Sequence, residues 1–257
     1  MTSPSVVFDR VDKTFSNGTV ALKDVSLTVQ KGEFVSLLGP SGCGKSTALR
    51  LAAGLGEVSG GAIRWPRAEA GRVGQSGIGF VFQEPTLMPW ASVFSNVWLP
   101  LRLAGTSKRV ARHEVMDALS LVGLDGFAGA YPRELSGGMK MRVSIARALV
   151  TRPELLLMDE PFGALDEITR FKLNDELLQL WQSLGWTVIF VTHSVFESVY
   201  LSNRILVMSA RPGRITADIP IDAPYPRDES FRSSVDYGGY CRQVSAALHR
   251  AMEVRAA

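Results

Sequence analysis

The sequence predicts an α/β fold in which buried parallel strands alternate with helices. The first observation is a strand–loop–helix unit, because the apolar run Phe34–Leu38 precedes a glycine-rich loop and 48–53 follows as a predicted helix. The second is a pair of continuous apolar runs, Leu155–Met158 and Thr187–Val191, which are typical of strands buried on both faces. The third is the alternating pattern of residues 6–36, which is typical of antiparallel strands.

The alternating segment predicts three short strands joined by turns. Asn17-Gly18 and Lys31-Gly32 are the turn signals. Phe15 stands beside the first turn, and two interpretations of it remain open. Its spacing favours an aromatic residue of the core, whereas an exposed ring at this place could stack on an adenine base.

A glycine-rich loop joins the Phe34–Leu38 strand to its helix. Glycines let the backbone turn tightly, so several N–H groups point at one spot, and the helix adds the positive end of its dipole. Lys45 can reach the terminal phosphates of a nucleotide, and Ser46 can offer its hydroxyl to Mg2+. A chance glycine-rich turn before a lysine is disfavoured by the strand–loop–helix context. The loop fits G-x-x-x-x-G-K-[ST] and consists of Gly39, Pro40, Ser41, Gly42, Cys43, Gly44, Lys45, Ser46 and Thr47.

Polar residues follow three predicted strands at their carboxyl ends, where ligands of parallel sheets bind. Gln83 follows the predicted strand 78–82. Asp159 and Glu160 follow the run Leu155–Met158, and Thr192-His193 follows the run Thr187–Val191. One carboxylate can hold Mg2+, directly or through its waters, while the other orients and polarises the attacking water. Taken singly, Gln83 is typical of a loop and a lone histidine of a structural role. Their shared position favours a ligand-facing role.

A second helix start has the form of an anion site. Leu135-Ser136-Gly137-Gly138-Met139 precedes a helix with apolar residues at 141, 145 and 148. Ser136 is the predicted N-cap, and the two glycines leave the helix N-terminus bare. Alone, such a pattern is usually a capped helix start, but in a chain with a phosphate loop it favours function.

Two other segments keep two interpretations each. Glu84–Trp90 contains two prolines and is predicted to be a rigid corner, which either packs locally or docks a partner. The tail 240–252 is a predicted helix that either packs on the main body or makes a regulatory or dimer contact. Its apolar face consists of Tyr240, Val244, Leu248 and Met252.

Composition excludes several classes of protein. The chain has 257 residues, a net charge of +3 and no run rich in lysine or arginine, so no nucleic-acid face is predicted. Its two cysteines, Cys43 and Cys241, indicate no disulfide framework and therefore a reducing compartment. The first residues do not resemble a signal peptide. No apolar run approaches the ~20 residues that span a bilayer.

Taken together and in this order, these motifs resemble an ATP-binding cassette (ABC) protein over nearly the whole chain. The resemblance implies a RecA-like P-loop ATPase core with an antiparallel β subdomain and an inserted α-helical subdomain. The core would comprise 1–83 and 151–215, the helical subdomain 84–150, and the C-terminal tail 216–257.

The resemblance also implies a role for each site residue. Gly39–Thr47 matches the Walker A loop for the ATP phosphates, and Phe15 falls at the adenine-stacking aromatic. Gln83 and Asp159 match the Q-loop and Walker B residues that join Ser46 at Mg2+. Glu160 matches the catalytic base and His193 the switch histidine. The remaining matches are the D-loop, Asp166, and the signature that acts in trans, Ser136, Gly137 and Gly138.

The family implies partners as well. ATP would be sandwiched between two cassettes, either a homodimer or a closely similar pair, at the cytoplasmic face of the inner membrane. A separate integral permease would dock there, with a periplasmic or lipoprotein solute-binding protein acting indirectly. Three segments are similar to the nitrate/sulfonate/taurine importer branch: 83–90, 166–170 and 209–214.

Two departures from the family pattern leave the charges of the site in place. Met139 stands where glutamine is common in the signature, and Phe15 stands where tyrosine is common. The alternative function is a soluble cassette ATPase that remodels nucleic acid or ribosomes. Such proteins usually carry two cassettes or a long inserted coiled coil, and this sequence has neither. A non-catalytic module would be expected to lose Glu160 or Lys45, and both are present.

Overall fold

The computed structural model describes residues 4–65 and 77–253. They divide into two compact units, 4–65 with 185–253 and 77–184, which are described in turn. The bounds of the core, the helical subdomain and the tail that the sequence predicts are not tested by this division and stay a prediction. Residues 1–3 and 66–76 of that core and 254–257 of that tail lie outside the described residues.

Strands and helices are numbered here in chain order. The strands are β1 (Pro4–Thr14), β2 (Val20–Gln30), β3 (Phe34–Leu38), β4 (Gly60–Arg64), β5 (Ile78–Val81), β6 (Leu155–Asp159), β7 (Thr187–Thr192), β8 (Arg204–Met208) and β9 (Ile215–Pro220). The α-helices are α1 (Lys45–Ala52), α2 (Val93–Leu103), α3 (Arg112–Leu121), α4 (Gly137–Leu149), α5 (Glu167–Leu184), α6 (Val195–Leu201), α7 (Glu229–Arg232) and α8 (Val235–Glu253), with 3-10 turns at Asp125–Phe127 and Pro132–Glu134.

The first unit contains two sheets. In the smaller one β1 pairs antiparallel with β2, as the alternating pattern predicts, and β4 pairs antiparallel with the other edge of β1. The two predicted strands at 20–22 and 25–29 form one strand, β2, which stays continuous through Asp24 in a left-handed conformation (φ 53°). In the larger sheet β3 lies between parallel β7 and β8, and β9 closes the edge antiparallel to β8. Every residue of β3 is buried, as its continuous apolar sequence predicts.

The second unit pairs two short parallel strands and carries four helices. β5 runs parallel to β6, with Ile78 opposite Leu155 and Val81 opposite Met158. Helix α4 packs against α2 and α3, and its buried residues include Met141, Ile145 and Ala148. This face is the apolar stripe that the helical spacing predicts.

The tail helix α8 packs within the first unit. Its buried residues lie against α6, β8 and β9. The predicted face is rotated slightly, because Tyr240 and Leu248 are only partly buried and Met252 is 41% exposed. The small side chains of Cys241, Ala247 and Ala251 on the buried face let the helix approach the strands closely. The buried residues of α8 are Cys241, Val244, Ala247 and Ala251.

A buried arginine fixes the connector, residues 221–228, that follows β9 and leads toward α8. Arg227 donates hydrogen bonds to the carbonyl oxygens of Val199, Tyr200 and Ser202 at the end of α6. It also donates to Ile221 and Ala223 of the connector. These bonds satisfy carbonyl groups that the last turn of a helix leaves without intrahelical partners. Burial lowers the pKa of Arg227 from its usual value.

Among the helices of the described residues, none is both long enough and apolar enough to cross a membrane.

Candidate functional site

The phosphate loop leaves the carboxyl end of β3 and enters α1 at Lys45. The helix therefore starts three residues earlier than the apolar pattern predicts, so its positive dipole end lies in the loop itself. Gly44 caps the helix in a left-handed conformation (φ 102°). A Cβ atom there would lie 2.7 Å from Leu22 Cδ2 and 2.8 Å from the Ala21 carbonyl oxygen. The loop thus requires glycine for both conformation and space.

Lys45 is buried inside this loop. Its Nζ donates hydrogen bonds to the carbonyl oxygens of Gly39 (2.8 Å) and Pro40 (3.1 Å). Both bonds draw the start of the loop toward the start of α1. The ammonium group is therefore held where the loop curls, which is where phosphate oxygens would meet it.

His193 leaves the strand next to the phosphate loop. Leu38 of β3 is the register partner of Thr192 of β7, so Gly39 and His193 follow paired residues on adjacent parallel strands. The His193 side chain is exposed. The structure thus brings the phosphate loop and His193, both in the first unit, together at the carboxyl end of the sheet.

A buried carboxyl group fixes the segment that carries His193. Thr192 Oγ1 donates to Glu197 Oε2 at 2.6 Å and accepts the Ser194 N–H at 3.0 Å. The Glu197 N–H in turn donates to Ser194 Oγ, which caps α6. Sequence reasoning missed Glu197. A carboxylate on a buried helix position four residues after the histidine was the available signal.

Phe15 lies outside the core. The residue is 45% exposed, and Lys13 Nζ lies 5.5 Å from the ring centre. The interpretation as a core aromatic is therefore wrong. Its role at adenine stays a prediction.

Two predicted site residues of the second unit also leave paired strands. Val81 at the end of β5 is opposite Met158 of β6, so Gln83 and Asp159 follow register partners. β5 ends one residue earlier than predicted, and Gln83 is exposed two residues beyond it. Asp159 is buried.

Glu160 has a strained backbone. Its φ is 45°, in the left-handed region that non-glycine residues rarely occupy. Such conformations cost ~1–3 kcal/mol and cluster at functional sites. The Glu160 carbonyl oxygen accepts the Gly163 N–H at 3.1 Å, which closes the turn after the strand.

Asp166 caps the start of α5. Its Oδ1 accepts the Thr169 N–H at 3.0 Å. Hydrogen bonds from Thr169, first from its backbone, lower the pKa of Asp166, so the carboxylate is ionised at neutral pH.

The signature segment begins α4 as predicted. Ser136 is the N-cap, and its hydroxyl accepts the Met139 N–H at 3.3 Å. A Cβ atom on Gly138 would lie 2.9 Å from Thr169 Cγ2, and one on Gly137 would lie 3.4 Å from Leu165 Cδ2. The glycines therefore let the bare start of α4 contact the segment around Asp166 closely.

The corner Glu84–Trp90 is held by two polar residues that sequence reasoning missed. Arg147 of α4 donates to the carbonyl oxygens of Pro85 and Thr86, both at 2.8 Å. Asn96 of α2 accepts the Met88 N–H at 2.7 Å and donates back to the Met88 carbonyl oxygen. Burial lowers the pKa of Arg147. The contacts of Arg147 join residues 61 and 62 positions apart, so no local spacing signals them.

Trp90 projects from this fixed corner and is 78% exposed. Aromatic residues that are costly to expose are enriched in interfaces. The corner thus has a local packing role, through Arg147 and Asn96, and an outward apolar side chain as well.

The chain has a phosphate loop between a strand and a helix, carboxylates at a strand end, and parallel strands. Together these features define a nucleotide-binding P-loop protein of the α/β class. The chain belongs to the ABC transporter family, whose model matches residues 22–163.

Relatives share most of the chain. The aliphatic sulfonates import ATP-binding protein of Bacillus licheniformis is 48% identical over 229 residues, which cover 85% of this chain and 86% of that protein. The taurine import ATP-binding protein of Rhizobium johnstonii is 43% identical over 244 residues, covering 92% of each.

A solved dimeric ATP-binding cassette in a post-hydrolysis state, bound to ADP and Pi, has a TM-score of 0.74 and 33% identity to this chain. The match covers 85% of this chain and 100% of that one. The predicted family and the RecA-like P-loop fold class are confirmed. The protein is a nucleotide-binding ATPase.

Replacing Gly44 by alanine is expected to weaken ATP binding by at least about tenfold. A left-handed non-glycine residue costs ~1–3 kcal/mol, and the new Cβ overlaps the Ala21 carbonyl oxygen. Gly32→Ala is the matched control, because Gly32 is also left-handed (φ 79°) but has open space around its Cβ position. Isothermal titration with ATP measures both variants. Equal affinity in the two variants would contradict the requirement for close approach.

Proposed function

We propose that the chain is the ATP-hydrolysing subunit of a bacterial importer, in which two cassettes close on ATP and drive a separate permease. One observation carries the proposal. The same chain holds a complete phosphate loop before α1 and a start of α4 that Ser136 caps and that has glycines, without side chains, at its first two positions. Two relatives named as import ATP-binding proteins support the direction of transport.

The proposed chemistry is hydrolysis of the terminal phosphoanhydride bond of ATP. The N–H groups of Gly39–Thr47 and Lys45 bind the phosphates, and Phe15 stacks on adenine. Glu160 accepts a proton from the attacking water, while His193 donates a hydrogen bond to the terminal phosphate and orients it.

Mg2+ is the proposed metal. The hydroxyl of Ser46, the amide oxygen of Gln83 and the carboxylate of Asp159 are hard oxygen donors, which is the ligand chemistry that Mg2+ takes. When bound, Mg2+ would neutralise charge that develops on the phosphate oxygens. This donor set is chemically suited to Mg2+ because two donors are neutral and waters can complete its octahedral shell.

Two chains are needed for each complete site in this proposal. Ser136, Gly137 and Gly138 of one copy would close on ATP held by Gly39–Thr47 of the other, and Asp166 would lie at the junction. A homodimer, or a pairing with a closely similar cassette, meets that requirement. The dimeric cassette bound to ADP and Pi is a precedent in a similar protein.

The proposed permease contact is the corner with exposed Trp90. Closure on ATP would favour one permease conformation by binding it better, and hydrolysis would release that bias. The chain would then act at the cytoplasmic face of the inner membrane, with a solute-binding protein supplying the permease. The proposed solute is sulfonate- or taurine-like, as the names of the relatives suggest.

Glu160→Gln is expected to slow ATP hydrolysis by about 10²–10⁴-fold while ATP still binds, because the amide cannot accept the proton of the attacking water. Phosphate release measures turnover and titration measures binding. The matched control is Glu154→Gln, an exposed glutamate of the same unit. Parent-like turnover of Glu160→Gln would contradict the assigned role.

Purification of the tagged chain from its own membranes in mild detergent is expected to recover a polytopic membrane protein. Trp90→Ala should reduce that recovery, because the indole is exposed on the corner. Leu184→Ala, which truncates another exposed apolar side chain of the same unit, should not. Recovery of only RNA or ribosomal proteins would instead support the remodelling ATPase.

A further inference from the structure

A closed turn follows β8 and precedes β9, at residues 209–214. The Ser209 hydroxyl donates to the Pro212 carbonyl oxygen and accepts the Arg214 N–H, both at 3.1 Å. The Ser209 N–H donates to the Arg214 carbonyl oxygen at 2.9 Å. Because Ser209 is buried and bonds across the turn, the turn has a fixed shape.

This turn lies directly against the phosphate loop within the first unit. The Gly213 N–H donates to Ala21 O at 2.9 Å, and the Lys23 N–H donates to Gly213 O at 3.0 Å. A Cβ atom on Gly213 would overlap the Cys43 carbonyl oxygen. The turn and the loop therefore meet backbone to backbone, which only glycine at position 213 permits.

Arg211 extends from the turn to the phosphate loop. Its Nε donates to the Gly42 carbonyl oxygen at 2.9 Å. Its Nη2 lies 3.3 Å from the position that a Cβ on Gly42 would occupy. Gly42 is left-handed (φ 75°), so its peptide orientation depends on what holds it.

A donor on the Gly42 carbonyl affects the same peptide group that carries the Cys43 N–H, which donates to the Pro40 carbonyl oxygen of the loop at 3.3 Å and so helps to close it. A hydrogen bond to a carbonyl oxygen polarises its peptide, which makes the attached N–H a stronger donor. Bonds from a charged donor are stronger than neutral ones. The guanidinium also places a positive charge beside a loop that receives anionic phosphates.

We propose that Arg211 is a positioning residue of the nucleotide site. It holds the Gly42 carbonyl away from the phosphates and thereby sets the loop amides in their anion-binding orientation. The inference rests on the proposed assignment of Gly39–Thr47 to the ATP phosphates. The residue lies 169 positions from Gly42, beyond the reach of the loop motif.

Three variants test the role by their affinity for ATP, measured by isothermal titration. Arg211→Gln is expected to bind ATP about fivefold more weakly, which is about 1 kcal/mol. Arg211→Lys keeps the charge but loses the Nε donor, so it should recover only part of the affinity. Arg214→Gln removes the same charge from the same turn without that hydrogen bond and should stay within about twofold of the parent.

Each other result overturns the inference in a recognisable way. Full recovery by Arg211→Lys, together with an equal loss in Arg214→Gln, would indicate general charge attraction. A loss of affinity accompanied by a lower melting temperature of the nucleotide-free protein would indicate a structural role.

Lys45→Ala separates this inference from the proposed site. Parent-like affinity in Arg211→Gln with a clear loss in Lys45→Ala would overturn the role of Arg211 alone. Parent-like affinity in both variants would overturn the assignment of the loop to ATP.

Discussion

The conformation of the phosphate loop depends on its close contact with two other backbone segments, β2 and the segment at the end of β8. The loop contacts β2 through Gly44, the last residue of β8 through Gly39, and the turn after β8 through Gly213 of that turn, and a Cβ atom at any of these positions would come within 3.0 Å of a backbone oxygen. A side chain at these three positions is excluded, so the backbone segments meet directly, while Lys45 and Arg211 donate to carbonyl oxygens of the loop. Such contacts leave few alternative conformations, which prepares N–H groups to bind an anion without further ordering.

Strain and buried polar contacts occur where the site residues lie. Glu160 keeps an unfavourable left-handed backbone, and Thr192 and Glu197 bond to each other beneath exposed His193. Arg147 and Asn96 hold a corner of irregular backbone whose N–H and carbonyl groups need partners. Orienting these few groups in loops thus costs some folding free energy, while the strands and helices supply a rigid support.

Local patterns in the sequence predict most of the strands, the start of α4 and the strand-end polar residues, because each depends on neighbours a few positions away. Spacing alone favours a core position for Phe15, and that interpretation is wrong because exposure depends on whether other segments cover the turn. Arg147, Glu197 and Arg211 were missed, because their partners are set by tertiary packing or by a helix cap. Their common signal is a charged residue placed on a buried face or in a tight turn.

In the proposed mechanism one chain carries two complementary halves of a nucleotide site, so two copies would close on ATP. Light scattering of the Glu160→Gln protein with saturating ATP and Mg2+ tests this most directly, because slow hydrolysis preserves the closed state. A site shared between two copies predicts a doubling of mass with ATP and a monomer without it. A monomer at saturating ATP would contradict the shared site.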